Sequence, residues 1–200
     1  MSLDNLRHAQ YDLAGVQLDD PQVLFRDRPT WTTEVSWLDT TTQTGAPIDT
    51  PKNVLFGVGG ASPAGIVSMS AGGVITILKG GPLAAKNRFR AGRTAATGVS
   101  HIFIWAEVSF NGGASRAPFG NSVAFTLDAA ADSQVFFDYT EFNLPTGTQV
   151  RQRFARSSTG SDFGDLVPLV PSGTLTGLGT PSTPSAQITL YKLAGHPYGA

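Results

Sequence analysis

The sequence predicts an all-β protein, a two-sheet β-sandwich of the jelly-roll kind, and three observations predict it. Apolar and polar residues alternate with period two in segment after segment, as in Val123, Phe125 and Leu127 against Ser122, Ala124 and Thr126. Glycine (23) and proline (13) are plentiful and charge is scarce, 14% against a usual ~25%. That is the composition of many short strands joined by tight turns. After residue 50 no window of helical spacing is long enough to matter, whereas roughly eight or nine strand-like runs follow one another.

Composition bounds the rest. With 200 residues, 40% of them hydrophobic, the chain is sized for one main core. The absence of cysteine excludes disulfides, Cys-ligated zinc and thiol chemistry. A net charge of −1 lacks the basic footprint of a general nucleic-acid binder. No apolar run reaches the ~18 residues of a membrane helix, and Asp4 and Arg7 interrupt any signal-peptide pattern. The expectation is a cytosol-like compartment, with no membrane and no nucleic acid as partner.

The first 50 residues differ from those that follow. They hold three basic and eight acidic side chains, net −5, whereas residues 51–200 are net +4. Such an asymmetry predicts two parts, an N-terminal arm over 1–50 and a sandwich over 51–200. Within the arm, residues 7–18 have room for a helical turn before Pro21. Residues 30–42 read as one strand, with Val35 and Trp37 set against Glu34, Ser36 and Leu38. Tyr11, Leu24, Phe25, Trp31 and Trp37 are too many large apolar groups for a solvated tail. They pack either on their own domain or across a neighbouring subunit or another protein. In the second case Tyr11, Phe25, Trp31 and Trp37 are the partner-binding residues.

The sandwich follows strand by strand. Residues 54–58 form a short apolar run ended by Gly59 and Gly60. Runs 66–70 and 74–78 flank Ala71-Gly72-Gly73, a hairpin in which glycine supplies positive φ. Runs 83–90, 99–110, 121–127, 134–139, 149–156 and 186–193 complete the set, with Gly98, Gly112, Gly113, Gly120, Pro145 and Gly147 between them as turns. Ile102-Phe103-Ile104-Trp105 is apolar on both faces. It belongs in the centre of a sheet, buried twice, or buried once in the core and once at a subunit interface. Residues 162–184 read as a long surface excursion before the last strand.

Catalytic chemistry finds little support. His8, His101 and His196 are widely spaced, and no Gly-x-Ser-x-Gly or phosphate loop is present. Glu107 and Glu141 are the only glutamates after residue 50, with nothing to set them face to face. Asp162 and Asp165 lack calcium-loop spacing. No enzyme activity, cofactor or metal is expected. One pattern does stand out. Lys86, Arg88 and Arg90 alternate with Asn87 and Phe89, so the three cations share one strand face with Arg93 just beyond, and Arg151 and Arg153 repeat the arrangement. Arginine suits planar pairing with carboxylates. Arg88, Arg90, Arg93, Arg151 and Arg153 are therefore expected to pair with the acidic arm, from the same chain or a neighbour.

The order of strands and the blocks Ala71-Gly72-Gly73-Val74-Ile75, Lys86-Asn87-Arg88-Phe89-Arg90-Ala91-Gly92-Arg93, Ile104-Trp105-Ala106-Glu107 and Arg153-Phe154-Ala155-Arg156-Ser157-Ser158 resemble small structural proteins of tailed bacteriophages, which are similar to the TNF/C1q-like jelly roll. The resemblance covers about residues 50–193. It implies a capsid decoration (cement) protein on the virion surface, assembled in the host bacterial cytoplasm. Its partners would be the major capsid protein and itself, with a homotrimer favoured and a dimer possible. The doubly apolar strand, through Phe103 and Trp105, is then the expected oligomer face. The alternative is a tail or receptor-binding module recognising a host surface glycan through loops near 111–119 or 160–171. The heptads or short repeats of its usual stalk are missing from the leader.

Overall fold

In a computed structural model the chain divides into two compact units, 1–31 and 32–200. The structure describes residues 30–45, 47–57, 59–93, 98–128, 133–157, 164–172 and 174–199, which fall almost wholly in the second unit. Tyr11 and Phe25 lie outside the described residues.

The second unit is an all-β sandwich of two antiparallel sheets. Its strands are β1 (Trp31–Asp39), β2 (Lys52–Asn53), β3 (Val67–Met69), β4 (Val74–Ile77), β5 (Gly81–Arg93), β6 (Ser100–Ser109), β7 (Ala117–Leu127), β8 (Ser133–Leu144), β9 (Gln149–Arg156), β10 (Gly164–Leu166) and β11 (Ala186–Leu193). A helical turn, α1 (Thr174–Gly177), precedes β11.

Sheet one runs β1–β11–β5. The 13-residue β5 carries β8 along one edge, from Gly81 opposite Leu144 to Gly92 opposite Ser133. Its other edge is shared. β11 covers Leu83 to Phe89, and β10 covers Ala91 to Arg93. Sheet two runs β3–β4–β9–β6–β7, with β2 also on β9. The pairing of β6 with β7 steps from Ile104 opposite Val123 to Ala106 opposite Phe119. Gly120, Asn121 and Ser122 thus face the single residue Trp105, a bulge in β7. Gly120 takes φ +75° there, a conformation glycine adopts without steric cost.

The inner faces obey the alternation of the sequence. Ile102 and Ile104 from β6, Phe125 and Leu127 from β7, Phe154 from β9 and Ile188 and Leu190 from β11 enter one buried cluster. Each such side chain contributes about 1.5–3 kcal/mol on leaving water. Val35 and Trp37 join the same core from β1, and Ser36 Oγ meets Thr189 Oγ1 at 3.0 Å across the β1–β11 pair. The expected arm of 1–50 therefore contains a strand of the sandwich. Net charge describes a surface, whereas the inward row of a strand depends only on its alternate residues.

Candidate functional site

The sandwich presents two outer faces of different chemistry. On sheet one, alternation turns Lys86, Arg88 and Arg90 of β5 outward beside the outward row of β8. That row is Val135 (44% exposed), Phe137 (57%) and Tyr139 (52%). Register puts Arg88 opposite Phe137 and Lys86 opposite Tyr139. The Arg88 guanidinium lies 5.5 Å from the Phe137 ring centroid, a cation–π arrangement. Arg90 turns to neighbouring segments instead, donating to the Pro168 carbonyl at 2.9 Å and to the Ser133 hydroxyl at 2.7 Å. Burial, and then the neighbouring Arg88 charge, lower its pKa. Tyr139 OH donates to Glu141 Oε1 at 3.1 Å. The face is an aromatic row edged by cations.

Arg93 departs from this set. Two residues beyond Ala91, it has the parity of the inner row and is buried, with Nη1 3.5 Å from Leu127 O. Arg93, expected with Arg88 and Arg90 to pair with the acidic arm, does not share their face, because the same period that turns 86, 88 and 90 outward turns 93 inward.

On sheet two, Trp105 and Glu107 of β6 share the outer face with Arg151 and Arg153 of β9. Register places Trp105 beside Arg153 and Glu107 beside Arg151. The Glu107 carboxylate accepts from Arg151 Nε at 2.7 Å and from Trp105 Nε1 at 3.2 Å, and Arg151 Nη2 closes an ion pair at 2.6 Å. Burial pushes the Glu107 carboxyl up, but Arg151, Trp105 and Arg153 outweigh it and its pKa is lowered. Arg153 donates to Asn53 Oδ1 at 2.8 Å and Pro51 O at 2.9 Å. The two arginine groups therefore occupy opposite faces, and Arg151 and Arg153 meet a carboxylate inside their own sheet. Sequence reasoning missed Glu107 as their partner, since β6 and β9 are far apart in the chain.

Phe103 stands on this same outer face, 37% exposed, while its neighbours Ile102 and Ile104 are core. The strand is thus buried once, and Trp105 is half-buried at the β7 bulge. Trp31 opens β1 half-buried. Trp37, 4% exposed, is a core residue of the sandwich and has no surface to offer a partner. Glu107 and Glu141 stand on opposite outer faces. His101 contacts Thr126 Oγ1 at 3.1 Å. Asp165 is buried and accepts from the Gly45 amide at 2.8 Å, tying the segment after β1 to β10. Asp162 lies outside the described residues.

A further polar cluster closes one end of the sandwich. Glu34, buried in β1, lies 3.1 Å from Lys192 Nζ and accepts from the Ser62 hydroxyl and from the Ala64 amide at 3.0 Å. Nearby, Tyr198 OH donates to Pro82 O at 2.7 Å and accepts from the Leu193 amide.

No family model matches the sequence, and no curated protein is similar to it in sequence. Solved structures are similar in fold. Eiger, a TNF from S. frugiperda, is 13% identical with a TM-score of 0.51, over 84% of this chain and 96% of that one. The globular domain of zebrafish complement 1qA is 11% identical with a TM-score of 0.43, over 84% and 98%. The sandwich is accordingly a jelly roll that shares its fold with the Eiger TNF structure.

Proposed function

We propose that this chain is a non-enzymatic structural protein of a phage virion, one that self-associates through the outer face of sheet one and decorates coat subunits. The observation that carries the assembly part is the exposed row Val135–Phe137–Tyr139 beside Arg88. An apolar row edged by arginine has the composition of an interface core, where aromatic residues and arginine are enriched. A homotrimer is the favoured stoichiometry. The virion part is supported by the block resemblance over about residues 50–193, and the acidic segment 1–29 is the part assigned to coat subunits.

Two measurements test this reading. Light scattering should give an oligomer for the wild type and a monomer for Phe137→Glu, a change at an exposed site that spares the core. An unchanged mass overturns sheet one as the face. Quantitative peptide mass spectrometry of purified particles should find a copy number comparable to the coat protein. A handful of copies moves the protein to the tail, and absence overturns the virion role.

A further inference from the structure

Between the sheets, on the side where edge strands β7 and β8 approach each other, the sandwich stays open. A cavity of about 390 Å³ lies there, within the ~300–1,000 Å³ range of small-molecule sites. Its walls are largely apolar, with Ile75, Ile104, Phe119, Phe136, Phe142 and Ile188 among them. The inward row of β8, Phe136, Asp138, Thr140 and Phe142, is only half-buried, where a closed sandwich would bury it.

Two observations set this space apart from loose packing. The first is a polar cluster on one wall. Thr140 Oγ1 donates to Asp138 Oδ2 at 2.9 Å, and Asn87 Nδ2 lies 3.5 Å from the same oxygen. Asn87 is 4% exposed, and its Oδ1 is buried without a hydrogen-bond partner. A buried acceptor left unmet is costly and calls for an explanation. The second is the bulge. Gly120, Asn121 and Val123 of β7 line the cavity together with Trp105, so the irregular stretch of β7 forms its rim.

We infer that this cavity binds a small amphiphile, with an alkyl or aromatic body and a primary amine head. The body fills the space between Ile104, Phe136 and Ile188. The head donates to Asn87 Oδ1 and to the Asp138 carboxylate. Among the described residues no lysine, arginine or histidine lines the cavity, so an anionic head meets a carboxylate with no counter-charge there and is rejected. The inference does not depend on the assembly reading.

The test uses the full chain and three probes of equal length: octylamine, 1-octanol and octanoate, each below its aggregation threshold. Chemical shifts of the Asn87 side-chain amide and the Gly120 backbone amide, both at the cavity wall, report binding. Octylamine should saturate both signals, with octanol and octanoate weaker by on the order of tenfold or more, the value of a charge-assisted hydrogen bond. Asp138→Asn, which keeps the shape, should abolish the preference for amine over alcohol. Val123→Trp, placed at the rim, should block all three. Absence of saturation, equal affinity for octylamine and octanoate, or an unchanged preference in Asp138→Asn each overturns the inference. Saturation seen only in monomeric Phe137→Glu means that a second copy fills the cavity, and overturns it too.

Discussion

Glu34 shows how a single side chain couples the sandwich to pH. Burial alone would raise its pKa, but the Ser62 hydroxyl, the Lys192 ammonium and the Ala64 amide outweigh burial and lower it. A carboxyl lowered on folding stabilises the fold above its ordinary titration range. That contribution is lost as pH falls through the folded value. Glu34→Gln should therefore be less stable than wild type at pH 7 by about 1–3 kcal/mol, the scale of a lost charged hydrogen-bond partner. Lys192 is partly exposed, which favours the lower end. Urea unfolding at pH 7 and again near pH 3 checks it, since the gap between the two proteins should shrink in acid. None of this was legible in the sequence, where Glu34 belongs to the polar row opposite Val35 and Trp37. Its partners are 28 residues away at Ser62 and on the last strand at Lys192. Only the fold brings them together.

At the scale of elements, what reads locally read well. The β3–β4 hairpin sits at Ala71-Gly72-Gly73, with Gly73 at φ +74° and its amide donating to Ser70 O at 3.0 Å. A Cβ on Gly73 would lie 2.2 Å from Val54 O. Gly73→Ala should thus lower the melting temperature by several degrees, from strain of at least ~1 kcal/mol, as calorimetry would show. Strands β9 and β11 match their expected ranges because both alternate cleanly between glycine- or proline-bearing turns. Other elements escaped. Gly120 reads as a turn, yet it is a bulge within β7, which begins at Ala117. Nothing local separates a glycine that reverses the chain from one that only distorts it. Strand β10 is too short for a period to show, and its pairing with Arg93, Gly92 and Ala91 is long-range. Residues 54–58 look like a strand because they are apolar. Val54 and Phe56 are core residues of a connecting segment; β2 before them pairs with β9, and the Val54 amide adds one more bond to Gln152 O at 2.9 Å. The arginines of the two outer faces were legible as strand faces. That the faces are opposite was not, since sheet membership is fixed by pairing partners.

For the whole molecule, the position of β1 changes what truncation means. Removing residues 1–45 takes away an edge strand, the buried Trp37 and the cover over β11. Loss of a buried tryptophan alone costs about 3–5 kcal/mol. That truncated chain should unfold or aggregate, whereas a chain lacking only 1–29 keeps β1. Circular dichroism and light scattering on the two truncations check the contrast. Failure of a folded 30–200 chain to bind phage heads would then assign coat binding to the leader. Retained binding would move it to the sandwich.

The β1–β11 pairing also sets a timetable. Ser36 and Thr189 touch across 153 residues of chain. At ~5–20 residues per second, synthesis needs roughly 8–30 seconds to bring the second to the first. For that interval β1 has no strand to pair with, and Val35 and Trp37 have no finished core to enter. Two nascent chains on neighbouring ribosomes could pair their β1 segments with each other instead. The yield of folded protein in the cell should then fall with expression rate and temperature well before the finished sandwich begins to melt.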